Sequence, residues 1–210
     1  MRKIYMLVAV LALGSIFTGC GKEDSAASNS DVVTSSEPSY ITIEGEVKSE
    51  VSKVYFADCD CKIDSFTVEK GDELKKDAII MKYTDQTIED AKQKKMKNTL
   101  NDALITEVDV VKGQTVAKGT PILTAISKND YYIEAEMDEE LLNNVEEGKE
   151  VDIVPVADKS KVYTGTIDDI AQYAYKKDNG DTVIKLKVSF EDKEKFLGYG
   201  YHVEVRVKNE

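Results

Sequence analysis

IDSFTVEKGDELKKDAIIMKYT (residues 63–84) and ITEVDVVKGQTVAKGTPILTAI (residues 105–126) are two renderings of one pattern, set 42 residues apart. Ile63, Val68, Lys70, Gly71, Lys76 and Ile80 recur as Ile105, Val110, Lys112, Gly113, Lys118 and Ile122. Apolar character is kept where identity is not: Phe66 answers to Val108, Leu74 to Val116, Met81 to Leu123. Each copy reads as strand, glycine turn, short strand, second turn, strand. Gly71 and Gly113 suit turns that need positive φ, which glycine adopts without steric cost. Gly119 marks the second turn of the second copy; Asp77 stands there in the first, and aspartate tolerates left-handed geometry. One such unit exposes an apolar face and cannot fold alone. Two can bury their faces on each other as a small sandwich, with Val68, Leu74, Ile80, Val110, Val116 and Ile122 as the expected core.

The rest of the chain past residue 39 has the same character. Tyr40 to Glu44 and Val51 to Phe56 are rich in β-branched and aromatic residues, as are the runs 131–137, 151–156, 163–170, 182–190 and 201–207. Tyr131, Ile133, Ala135 and Met137 share one face of a strand, and Ile184, Leu186, Val188 and Phe190 share another. Period-two alternation marks half-buried strands. The expected class is therefore mainly β. Two segments read as helix: Thr87 to Lys97, with acids early and lysines late as the helix dipole prefers, and Asp138 to Val145, closed by Gly148. The first lies in an insert, residues 85–102, between the two copies.

The N-terminus reads as a leader. Arg2 and Lys3 precede an uncharged run, Ile4 to Phe17. That run is too short for a membrane-spanning helix, which needs roughly 20 residues, and suits a secretory h-region. It ends in Phe17-Thr18-Gly19-Cys20, which resembles the bacterial lipobox, with Phe17 in place of the usual leucine. Residues 1–19 are expected to be removed and Cys20 to carry lipid, so that the protein sits on a membrane surface without crossing it. Residues 20–39, rich in Ser, Asp and Ala, are expected to form a disordered tether.

Composition excludes several classes. There are 28 Lys and Arg against 40 Asp and Glu, and the resulting net charge of −12 argues against nucleic acid as a partner. Cys59 and Cys61 are the cysteines left beside Cys20. They read as two small, half-buried residues or as a strained local disulfide. With His202 the single histidine, they are too few for a zinc cage. No Gly-rich phosphate loop and no G-x-S-x-G elbow occur. The sequence therefore indicates no catalytic residue, no metal and no cofactor. Asp138-Glu139-Glu140, Glu146-Glu147 and the lysines at 92, 94, 95 and 97 read as solvated faces.

The repeated pattern resembles the lipoyl/biotinyl half-motif. Split in two and followed by further strands, it is similar to the periplasmic adaptor, or membrane fusion protein, family (HlyD-like) that partners bacterial export pumps. After the second half-motif, that family shows an apolar strand, an acidic short helix and a glycine opening the next strand. Here Tyr131 to Glu136, Asp138 to Asn144 and Gly148 look like these. Tyr163-Thr164-Gly165-Thr166-Ile167 and Leu197-Gly198-Tyr199-Gly200 match later elements. The resemblance implies a lipoyl-like barrel-sandwich hybrid over 40–127 and a small β-barrel over 128–210. It implies a non-catalytic, lipid-anchored adaptor for an ABC transporter permease, with copies assembled side by side. Two departures stand out. The insert is short, since one helix over Thr87 to Lys97 spans about 17 Å, and the family's additional membrane-proximal domain looks truncated or absent. A carrier of biotin or lipoate would hold its lysine near Thr87. Neither Met81-Lys82 nor Met96-Lys97 has the Met-Lys-Met context, so this reading is disfavoured. An extracellular ligand-binding or envelope-structural lipoprotein is the alternative.

Overall fold

Every strand pairing among the described residues is antiparallel. The structure, a computed structural model, describes residues 39–209; the leader, Cys20 and residues 20–38 of the tether lie outside them. Six strands close a barrel: β1 (Tyr40–Ser49), β10 (Tyr131–Asp138), β13 (Thr182–Phe190), β12 (Tyr163–Lys176), β11 (Glu150–Pro155) and β14 (His202–Lys208), in that order around the wall. Closure leaves no exposed sheet edge. Alternation sets what faces in: along β10, Ile133, Ala135 and Met137 are buried while Tyr132, Glu134 and Glu136 are not. Val47, Ile153, Ile167, Val188 and Val205 complete the same core. Two glycines are required where a large side chain of the neighbouring strand leans across. A Cβ on Gly45 would lie 2.7 Å from Ile133 Cγ2, and one on Gly165 would lie 2.5 Å from Ile153 Cδ1.

β1 corrects the boundary read from sequence. Residues 40–127 were expected to form the half-motif domain, but β1 pairs with β10 on one side and β14 on the other. Ile43 and Val47 are buried in the barrel core. Alternation shows that Tyr40–Ser49 is a half-buried strand; which sheet it joins depends on partners about 90 and 160 residues away.

Between β1 and β10 the chain builds a two-sheet sandwich. One sheet has the order β2 (Ser52–Phe56), β9 (Pro121–Ser127), β7 (Asp102–Val108), β4 (Glu73–Lys75). The other has the order β6 (Lys94–Lys97), β5 (Ile79–Asp85), β3 (Cys61–Phe66), β8 (Thr115–Val116). The 42-residue repeat maps one sheet onto the other strand for strand. Cys61 faces Val116 while Leu74 faces Ala103, and Ile63 faces Tyr83 while Ile105 faces Ala125. Each sheet therefore borrows its short strand, β4 or β8, from the opposite half. Val68, Ile80, Val110, Val116 and Ile122 are buried in the shared core, with Leu74 packed at its margin.

The expected helix over Thr87 to Lys97 does not form. Asp90 takes φ +56, outside the helical region, and Lys94–Lys97 is strand β6, with Met96 opposite Met81. An isolated helix of about 11 residues is marginal in water. As β6, the same residues gain a ladder with β5, and Met96 packs on the core. β6 also answers to β2, with the offset shortened by one residue to 41: Phe56 pairs with Pro121, and Lys97 pairs with Ile79. The acidic segment after β10 is a short 3-10 helix, Glu139–Asn144. Barrel and sandwich belong to one compact unit. The two chain crossings between them run side by side: Glu50 N donates to Asp130 O at 2.9 Å, Ser127 N to Val51 O at 2.9 Å, and Ser49 Oγ to Ser127 O at 2.8 Å.

Candidate functional site

The four turn residues singled out in the sequence lie in the sandwich, all at positive φ: Gly71 at +94, Asp77 at +66, Gly113 at +85 and Gly119 at +86. They are where one half grips the other. Gly71 N donates to Ile105 O at 2.8 Å, and its mate Gly113 N to Ile63 O at 2.8 Å. Ile105 N donates to Asp72 O and Ile63 N to Gln114 O, both at 2.9 Å. Asp77 N donates to Asn98 O at 2.9 Å, and its mate Gly119 N to Ala57 O at 2.8 Å. The turns are thus mutual clasps, and their positive φ aims each N–H across the interface.

Asn98 closes the insert, and sequence reading missed it. It is 1 % exposed. Its Nδ2 donates to the carbonyls of Leu74, Lys75 and Leu100 at 3.2, 3.0 and 2.9 Å. Its Oδ1 accepts the Tyr55 hydroxyl at 2.8 Å and the Leu100 N–H at 3.1 Å. The residue in the same hydrogen-bonding place of the other half is Ala57, 41 residues earlier, so the repeat gave no signal for a polar residue there. At the opposite end of the insert, Asp85 is 5 % exposed. Its Oδ1 accepts the Thr87 hydroxyl at 2.6 Å and the Thr87 N–H at 3.0 Å, and Lys94 lies 3.3 Å from Oδ2. Those bonds hold its carboxyl down to about 2. Between Asp85 and β6, residues 86–93 form an irregular tip.

Cys59 and Cys61 are free thiols, Cys61 buried and Cys59 half-buried. Burial, with Asp58, Cys61 and Asp85 close by, pushes the Cys59 thiol up to about 12, and burial raises Cys61 as well. Both are therefore protonated and weakly nucleophilic. Their turn is pinned from three sides: Lys118 N donates to Asp60 Oδ1, Gln86 N to Asp60 O, and Tyr83 Oη to Asp58 Oδ2, each at 2.8 Å. Among the described residues, no three His, Cys, Asp or Glu side chains converge as a metal site. Lys82 sits inside β5 opposite Lys95, not at a turn tip where a carrier lysine would stand.

Beside the sandwich lies a groove of about 690 Å³. Its sandwich wall holds two ion pairs, Lys75–Asp102 and Lys128–Glu73. Its barrel wall is aromatic: Tyr131, Phe190, Phe196, Tyr199 and Tyr201. The loop after β13 supplies much of that wall. Asp192 folds it by accepting the N–H groups of Glu194 at 3.1 Å and Leu197 at 2.6 Å, and Leu197 is buried in the barrel core. The sequence did not mark this groove as a site, because its lining comes from four separate segments, near residues 73–75, 102–104, 128–131 and 190–201.

No protein-family model matches the chain. Over 109 residues it is 28% identical to "Putative efflux system component YhbJ" of Bacillus subtilis (strain 168). The match covers 52% of this chain and 47% of that protein, so this chain spans about half the length of that relative. Three solved structures share the fold. They are the membrane fusion protein Spr0693 from Streptococcus pneumoniae R6 (TM-score 0.57, 16% identity, 81% of this chain and 99% of that one), ZneB from Cupriavidus metallidurans (0.66, 9%, 81% and 98%), and MacA from Actinobacillus actinomycetemcomitans (0.66, 14%, 82% and 79%). The resemblance read from the half-motifs holds at the level of fold: a mainly β chain with a lipoyl-like sandwich and a β-barrel.

Proposed function

We propose that this chain is the adaptor component of a bacterial export system, anchored by lipid on Cys20 outside the cytoplasmic membrane and working beside an ABC-type permease. One observation carries the reading: a twofold half-motif sandwich inserted between the first and second strands around a closed six-stranded barrel. The partial identity to an efflux system component supports it from sequence, and the membrane fusion protein of similar fold supports it from structure. A shared fold does not by itself carry function, so the assignment stands on these together with the lipobox-like Phe17-Thr18-Gly19-Cys20.

The role needs no catalytic side chain. An adaptor that binds one permease conformation more tightly shifts the equilibrium only by the difference in affinity between states. A tenfold preference is about 1.4 kcal/mol. The insert is a strand and an irregular tip rather than a long hairpin, which suits an adaptor serving a single membrane. Copies assemble side by side through their sandwiches.

The test is reconstitution in vesicles with the ATPase and permease encoded beside it. Lipidated protein is expected to bind the permease and to change ATPase and transport rates, while hydrolysing nothing alone. No binding and no rate change would leave the ligand-binding lipoprotein as the better reading. The groove between sandwich and barrel is the observation that favours that second reading.

A further inference from the structure

The groove joins two unlike walls. Tyr131, Phe190, Phe196, Tyr199 and Tyr201 form an apolar, partly wet surface on the barrel side. Aromatic side chains of this kind offer large contact area with a polar tip. The volume, about 690 Å³, falls in the range of small-molecule sites, roughly 300–1,000 Å³. A folded protein does not enter such a space; a single small molecule does.

The charges choose its sign. Three lysines line the groove. Lys75 is paired with Asp102, and Lys128 with Glu73. Asp192 is turned into its own loop, its two oxygens taken by the N–H groups of Glu194 and Leu197. Lys195 has no acid partner among the described residues. It also holds φ +53, the left-handed region that lysine rarely adopts. The loop therefore presents, beside an aromatic wall, one lysine without an ion-pair partner, while the Asp192 carboxylate is held by backbone N–H groups.

We propose that this groove binds a small amphipathic anion, its apolar body on the aromatic wall and its acid group on Lys195. The site adjoins the clasps at Gly71 and Asp77, since Glu73 and Lys75 line it from the strand between them. It is available whether or not the chain partners a permease: a cargo or regulatory molecule for an exporter, or the ligand of a binding lipoprotein, would meet the same chemistry.

The probe is anilinonaphthalene sulfonate, an aromatic sulfonate whose fluorescence rises in apolar surroundings. Phenylnaphthylamine serves as its uncharged counterpart. The full chain is expected to bind the sulfonate saturably, one per chain, and more tightly than the neutral probe. Tyr201→Ala should weaken both probes. Lys195→Glu should weaken the sulfonate about tenfold or more and leave the neutral probe unchanged. Lys195→Gly removes the cation in a residue suited to the left-handed backbone, so it should show the same selective loss with an unchanged melting temperature. Non-saturable binding, or sulfonate affinity unchanged in Lys195→Glu and Lys195→Gly, overturns the proposal. Because no permease takes part, a failure here leaves the export reading untouched.

Discussion

At the scale of single residues, the side chains that hold the insert are not the ones the sequence pattern exposes. Asp85 shows this. Its carboxyl is held near 2, from an ordinary value near 3.8, by the Thr87 hydroxyl, the Thr87 N–H and the Lys94 ammonium, against the opposing effect of burial. A carboxyl held below its usual range is charged in the folded protein at pH values where the unfolded chain has already taken up a proton. The stabilisation is therefore fully present above pH about 4 and is lost as pH falls toward 2. Asp85→Asn keeps the shape and removes the titration. Thermal melts between pH 5 and 2 are expected to show a shallower acid dependence for that variant than for the parent, with a lower melting temperature at neutral pH. Parallel curves would show that Asp85 titrates alike in both states. No motif in the sequence identified Asp85 or Asn98, because each is defined by where the fold brings its partners: Lys94 across the tip for Asp85, and Tyr55 with the Leu74 and Lys75 carbonyls for Asn98. The glycine turns were legible for the opposite reason. Positive φ is a property of the residue's own backbone, and glycine announces it.

At the scale of elements, alternation located the strands but not their partners. Two misreadings share that cause. β1 carries a clean alternating pattern, yet nothing local says that it closes the barrel rather than the sandwich. Residues 87–97, which end in β6, carry acids early and lysines late, which mimics a helix, yet β6 is placed by its ladder with β5 and by its match to β2. The paired halves were legible because the 42-residue offset encodes a packing relation directly. The exchange of β4 and β8 makes that relation obligatory, since each half lacks the strand that completes its sheet. Ile80→Ala and Ile122→Ala remove equivalent buried side chains, each fully shielded from solvent. Either is expected to cost about 2–5 kcal/mol. Each should lower one shared denaturant transition rather than split it, and a peptide of residues 103–127 should remain unfolded. Cooperative folding of that peptide by circular dichroism would dissolve the interlocked unit into two independent hairpins.

At the scale of the whole molecule, the two ends of the described chain share one end of the barrel. Asn209 N donates to Ser39 O at 2.9 Å, so the first and last described residues meet at one end of the barrel. β1 then runs ten residues before the chain crosses to the sandwich, a distance of about 33 Å at strand rise. If Cys20 carries lipid, the 19 residues from it to Ser39 reach at most about 65 Å. Ser39 and its end of the barrel would then stay within that reach of the membrane. No strand of barrel or sandwich depends on that anchor, because every pairing lies within residues 40–208. Cys20→Ser should therefore separate anchoring from folding. The variant is expected to leave the membrane fraction, or to remain as an unprocessed precursor, while its protease-resistant core and melting temperature match those of the parent. A Cys20→Ser protein that is still processed and still pellets with membranes as a lipoprotein would refute the lipid assignment.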